Sequence, residues 1–175
     1  YFKLYFPRKS CINYLNLGLN IALGSSNTYN NFTQKLDTRN HIATGTDKNT
    51  IKVKTFTLDQ ILEDQQSPVL IKIDVEGFES EIINGANTTL QNNDLKAIII
   101  ELNGCGTKYY GFSETIVHEK LIKSGFSPYF YNPDKRLLYL INTYGKRNTI
   151  YIRDIDFVNK RLKTAKSVKI HDKEL

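Results

Sequence analysis

Residues 69–90 read V-L-I-K-I-D-V-E-G-F-E-S-E-I-I-N-G-A-N-T-T-L, and no other stretch of the chain restricts the fold so tightly. Residues 69–75 are mostly β-branched and apolar, the composition of a strand in the middle of a sheet. Gly77 interrupts the run. Beyond it Phe78, Ile82, Ile83 and Ala86 recur at helical spacing, which predicts one helix over 78–90. Strand, tight turn and helix are the first two parts of a βαβ unit. Residues 95–102, L-K-A-I-I-I-E-L, supply the next buried strand at a distance that suits a right-handed parallel crossover.

The charges in the first of these strands are unusual. Extended chain places Ile71, Ile73 and Val75 on one face and Lys72, Asp74 and Glu76 on the other. Ions inside a covered sheet are costly unless they are paired or near its mouth. Asp74 and Glu76 stand at the carboxyl end, where open α/β sheets take their ligands. Acids there also favour the N-terminus of the next helix, joined by Glu79 and Glu81. That reading accounts for one or two acids and leaves the Lys-x-Asp-x-Glu stripe without a reason. Glu101 falls at the corresponding end of the next strand, so adjacent strands would bring Asp74 and Glu101 to one mouth, with Glu76 on its rim. Close carboxylates repel, so one keeps its proton near neutrality or a cation sits between them. Asp74 and Glu101 are the candidates to hold such a divalent metal ion. For Glu101, a strand-end charge that simply meets water is the alternative.

Three pieces together, L-I-K-I-D-V-E-G-F-E, then I-I-N-G-A, then A-I-I-I-E-L at 97–102, resemble the FkbM family of S-adenosylmethionine-dependent methyltransferases. V-K-T-F-T-L-D at 53–59 matches a strand and T-L-D segment that the family carries upstream. The similarity runs from Ala22 onward, and K-I-D-V-E-G with its downstream N-G-A is its most specific part. The resemblance implies a Rossmann-like class I methyltransferase sheet, α/β and mostly parallel, closed by a C-terminal antiparallel hairpin. It implies S-adenosyl-L-methionine as cofactor, with contacts at Ala22, Leu23, Asp59 and Asp74, and O-methylation of a hydroxyl on a sugar, glycan or secondary metabolite. Asp74, Glu76 and Glu101 are the catalytic candidates, because a carboxylate can take the proton of the attacking hydroxyl.

The family's D-x-G-A-N-x-G loop has no counterpart here, and its Glu-Pro is matched only by Phe6-Pro7. Ala22-Leu23-Gly24 resembles the segment near the adenine. The chain starts at Tyr1 and holds no methionine, so the expectation is a single domain over 1–175 that lacks the N-terminal part of the fold. Two other readings follow: an inactive or binding-only remnant, and a metal-dependent phosphoryl-transfer or nuclease domain with acids at its strand ends.

Composition restricts the rest. With 175 residues, 40% hydrophobic and 24% charged, the chain is an ordinary globular domain without a long apolar run. Its net charge of +6 gathers late, at Lys160, Arg161, Lys163, Lys166 and Lys169, as a basic tail over 160–175. Attraction to something anionic is one reading and a solvated tail the simpler one; no nucleic-acid module accompanies these charges. Cys11 and Cys105 make no zinc or redox motif, and His41, His118 and His171 have no metal spacing. Two free thiols and no secretory segment give a cytoplasmic expectation.

Further elements are expected as follows: strands at 1–6 and 19–23, helical turns at 10–17, a weak strand near 29–33, and a strand at 51–56. A short helix at 58–63 should be capped by Thr57. A helix at 113–124 should bury Ile116, Val117, Leu121 and Ile122. A hairpin is expected at 126–142, a strand at 149–152, and a last helix at 154–162 capped by Asp154.

Overall fold

A computed structural model describes residues 2–6, 15–145, 147–166, 169–170 and 173–174. In chain order, β1 (Phe2–Phe6) pairs antiparallel with β2 (Leu15–Leu19). The helical turns expected at 10–17 are therefore strand over 15–17, and 10–14 lie outside the described residues. Next, β3 (Ala22–Leu23), β4 (Thr28–Thr33) and β5 (Thr50–Phe56) form a three-stranded sheet in the order β3-β5-β4. Here β3 runs parallel to β5, and β4 runs antiparallel to it over its full length. The polar sequence of β4 gave only a weak strand signal; its Asn30 side chain donates to the Thr55 hydroxyl across the pair.

The remaining elements build the main layer: α1 (Leu58–Leu62), β6 (Leu70–Ile73), α2 (Glu79–Asn84), α3 (Asn87–Gln91), β7 (Ala97–Glu101), α4 (Cys105–Tyr110) and α5 (Glu114–Lys123). They are followed by β8 (Ser127–Asn132), β9 (Leu137–Leu140), β10 (Asn148–Ile152), α6 (Ile155–Thr164) and the small pair β11 (Lys169–Ile170) and β12 (Lys173–Glu174). The larger sheet has the order β6-β7-β10-β8-β9. β6 and β7 are parallel, whereas β10 is antiparallel to both of its neighbours and β9 to β8.

The fold is α/β with mixed sheets, so the expectation of a mostly parallel sheet is corrected. The cause is the place of β10. Its Thr149, Tyr151 and Ile152 are buried, and it enters the sheet between β7 and β8. The L-L-Y-L strand β9, equally apolar in sequence, is left at the edge. β6, β7 and β8 still point one way, so their carboxyl ends lie on one side. β6 is also an edge strand and not the central strand expected: Ile71 and Ile73 are buried while Leu70 and Lys72 are exposed.

The core centres on β7, whose Ile98 and Ile100 are fully buried in one cluster with Leu58, Ile82, Ile83, Leu90, Val117, Leu121, Phe126 and Tyr151. Each such side chain contributes about 1.5–3 kcal/mol by leaving water. On α5 only Val117 and Leu121 are buried; Ile116 and Ile122 face outward. Two i, i+4 residues suffice where the helix covers one row of the sheet. Thr57 caps α1 and Asp154 caps α6, which extends to Thr164 and takes in the first part of the expected tail. Arg153 ties the far end together: its guanidinium donates to the carbonyls of Leu90, Asn92, Leu95 and Ser124 and lies over the Phe126 ring. Nothing in the local sequence marks Arg153, because its partners come from two distant segments, 90–95 and 124–126.

The expected helix over 78–90 is two helices, broken at Gly85-Ala86. The backbone of Gly85 presses on Gly24; a β-carbon at Gly85 would sit 2.1 Å from the Gly24 carbonyl oxygen. The Gly85 carbonyl takes the Asp59 N–H at 3.1 Å. Asp59 then reaches past the break to the N–H groups of Thr88 and Thr89, at 2.9 and 2.8 Å, and to the Thr89 hydroxyl. The T-L-D and N-G-A pieces of the sequence thus hold one another.

Candidate functional site at the carboxyl ends of the parallel pair

β6 stops at Ile73, and the backbone then turns through Glu76 (φ 55°) and Gly77 (φ 105°). A left-handed non-glycine residue such as Glu76 costs about 1–2 kcal/mol. Gly77 has no alternative: a β-carbon there would lie 2.7 Å from the Cys105 carbonyl carbon and 2.8 Å from the Gly106 nitrogen. This close approach seats the N-terminus of α4 on the turn. α4 was not expected from N-G-C-G-T-K-Y-Y; Gly104 and Gly111, both left-handed, bound it, and Asn103 accepts the Cys105 N–H.

The turn is held from below by Glu79. Its carboxylate is buried and accepts the N–H groups of Gly77 at 3.1 Å and Val75 at 3.4 Å. Burial pushes the Glu79 carboxyl up, against the lowering effect of these backbone donors, and the nearby Glu114 adds to the rise. From the sequence alone Glu79 only favours a helix start. Its position two residues after a glycine that must turn the chain was the available signal.

Because the folded pKa of Glu79 is raised, its contribution to stability is present below the ordinary glutamate value of about 4.3 and is lost as pH rises through the folded value. Each unit of that rise corresponds to about 1.4 kcal/mol. Glu79→Gln keeps one acceptor oxygen and removes the charge. Thermal melts from pH 4 to 8 are expected to show wild-type stability falling relative to the variant as pH rises; parallel curves would contradict this.

The register pairs Ile73 with Ile100, so Asp74 and Glu101 leave adjacent strands side by side. The Glu101 carboxyl is held above the usual range, first by burial and then by the negative charges of Asp74 and Glu76, with Lys72 opposing. Lys72 itself donates to Asp74 at 2.5 Å. Glu76 reaches the Cys105 thiol at 3.9 Å. Asp74 and Glu76 both act on the Glu101 carboxyl, and of the three acids Asp74 lines the cleft beside them while Glu76 and Glu101 do not.

A cleft of about 620 Å³ opens beside them between β3 and β6. Ala22, Leu23 and Asp74 line it, with Ile42, Ile73, Val75 and Phe78 among its apolar walls. Its size and mixed lining are those of small-molecule sites. Helix α4 braces its outer wall: the Tyr110 hydroxyl donates to the Ile42 carbonyl at 2.7 Å, and Tyr109 stacks on His41, whose ring faces Asp47. Neither Tyr110 nor the 40–42 segment was singled out from sequence, since 68 residues separate the bonded pair.

Asp59 does not line this cleft; its carboxylate is occupied by Thr88 and Thr89, which also hold it below the usual range against its burial. The structure gives Asp59 a helix-capping role, away from the cleft that Ala22, Leu23 and Asp74 line. Among the described residues no group of three or more His, Cys, Asp and Glu is arranged to hold a metal ion. No helix among them is long and apolar enough to cross a membrane. Cys105 is a free thiol, and Cys11 lies outside the described residues.

Comparison with known families decides the lineage. The Methyltransferase FkbM domain matches residues 5–148, most of the chain. The chain belongs to the FkbM methyltransferase family. No curated protein and no solved structure gives a significant match. For an FkbM methyltransferase domain the geometry places the K-I-D-V-E-G motif at the rim of the cleft and gives T-L-D and N-G-A a structural task behind it.

Proposed function

We propose that this FkbM domain is an S-adenosylmethionine-dependent O-methyltransferase acting on a hydroxyl of a small molecule or glycan. The observation that carries the reading is the placement of Asp74 and Glu101 side by side at the carboxyl ends of β6 and β7, next to a cleft lined by Ala22 and Leu23. The residues present suit the cofactor: apolar walls for a flat ring system, and acids that attract a sulfonium. When bound, S-adenosylmethionine supplies an electrophilic methyl carbon. Asp74, paired with Lys72, takes the proton of the acceptor hydroxyl, with Glu101 beside it on the next strand.

The second reading, a binding-only domain, is supported by β6 having a strand partner on one side only among the described residues. Calorimetric titration with S-adenosylhomocysteine separates the two. The enzyme reading expects saturable binding with a dissociation constant of about 1–100 μM, or about −8 to −5.5 kcal/mol, and transfer of tritiated methyl to hydroxyl acceptors. Absence of binding in a folded sample would favour the second reading.

A further inference from the structure

The larger sheet ends on an edge that its own sequence makes apolar. Among the described residues β9 has β8 as its only strand partner, and Leu137, Tyr139 and Leu140 on it are 47%, 43% and 66% exposed. Phe130 on β8, opposite Tyr139 in the register, is 55% exposed, with the two rings 6.5 Å apart. Exposed edges are normally guarded by charge on the strand itself. β9 carries none; the charge stands beside it.

Helix α6 turns Ile155, Val158 and Leu162 toward the body and leaves Lys160, Arg161 and Lys163 exposed, with Lys166 just beyond its end. Arg136, in the hairpin turn, donates to the Ala165 carbonyl at 3.0 Å. That bond places the basic end of α6 against the tip of the apolar hairpin, next to exposed Lys135. The acids of the same elements are Asp134 in the turn and Asp154 and Asp156 at the opposite end of α6.

We propose that this edge docks on an anionic lipid surface, with Phe130, Leu137, Tyr139 and Leu140 entering the headgroup region and the α6 cations meeting its phosphates. Aromatic and aliphatic side chains flanked by lysine and arginine are the pattern of interfacial binding. Aliphatic Leu140, the most exposed of the four, gains nothing from a nucleic-acid base, and the cations lie on one flank without aromatic interleaving. The proposal is independent of the methyl-transfer reading.

The test is sedimentation of the full chain with vesicles of phosphatidylcholine alone and of phosphatidylcholine mixed with phosphatidylglycerol. Binding is expected at least about tenfold stronger to the anionic vesicles and weaker at high salt. Lys160→Glu with Lys163→Glu, both exposed, should lower it at least about tenfold. Leu140→Ser with Tyr139→Ser should reduce it at any salt, with thermal melts showing that both variants fold. Equal binding to neutral vesicles, no binding, or unaltered binding by either variant overturns the proposal. So does a single-stranded RNA that outcompetes the vesicles, or a dimer that the hairpin variant abolishes.

Discussion

Gly85→Ala is expected to destabilise the fold by about 3 kcal/mol or more, at the upper end of overpacking costs. The β-carbon would meet the Gly24 carbonyl oxygen at 2.1 Å, and both sides of that contact are backbone, so no flexible side chain can yield. Gly85 has a φ of −86°, so the cost is steric and owes nothing to a forbidden conformation. Relief requires the α2–α3 elbow to move off the small sheet. That movement strains the Asp59 N–H bond to the Gly85 carbonyl and the clasp of Asp59 on Thr88 and Thr89. For a chain of this length the melting temperature should fall by about 6–12 °C. Gly45→Ala, where an added β-carbon meets nothing within 4 Å, is the matched control and should stay within about 0.5 kcal/mol of wild type. Equal melting temperatures for the two variants would show that the elbow is pliable.

Asp74→Asn is expected to lower methyl transfer by about 10²–10⁴-fold, the range of a lost general base. The change preserves shape and removes the anion that Lys72 pairs with. Affinity for S-adenosylhomocysteine should change little, which separates a proton-taking role from cofactor holding. An equal loss in binding would assign Asp74 to the cofactor and end its role as base. Glu101→Gln sharpens the test. Glu101, raised by burial and by its acidic neighbours, titrates above the ordinary glutamate figure of about 4.3, so the pH–rate profiles of the variant and wild type should diverge there; superimposable profiles would remove Glu101 from the site.

Much of the local structure was legible because its causes are local. Thr57 and Asp154 announce helix starts, and both side chains accept the expected N–H. The hairpin at β8 and β9 follows from its Asn-Pro-Asp turn. The K-I-D-V-E-G stripe sets Asp74 beside Lys72 at a strand end because alternation puts both on one face, whereas Glu76 is placed by the left-handed turn that follows. Asp59 shows the limit of such reading. Its place in a family motif suggested a ligand, yet its two oxygens are consumed by α3, which only folding brings within reach.

What this sequence determined by itself is the capped helices, the β8–β9 hairpin and the placing of Asp74 and Glu101 at one end of a parallel pair, since periodicity, caps and strand alternation act within a few residues. Only the tertiary structure decided that β10 lies inside the sheet and β9 outside, that β6 is an edge, and that one helix is two. Those choices depend on which distant surfaces compete for the same burial and on where two glycines let backbones touch.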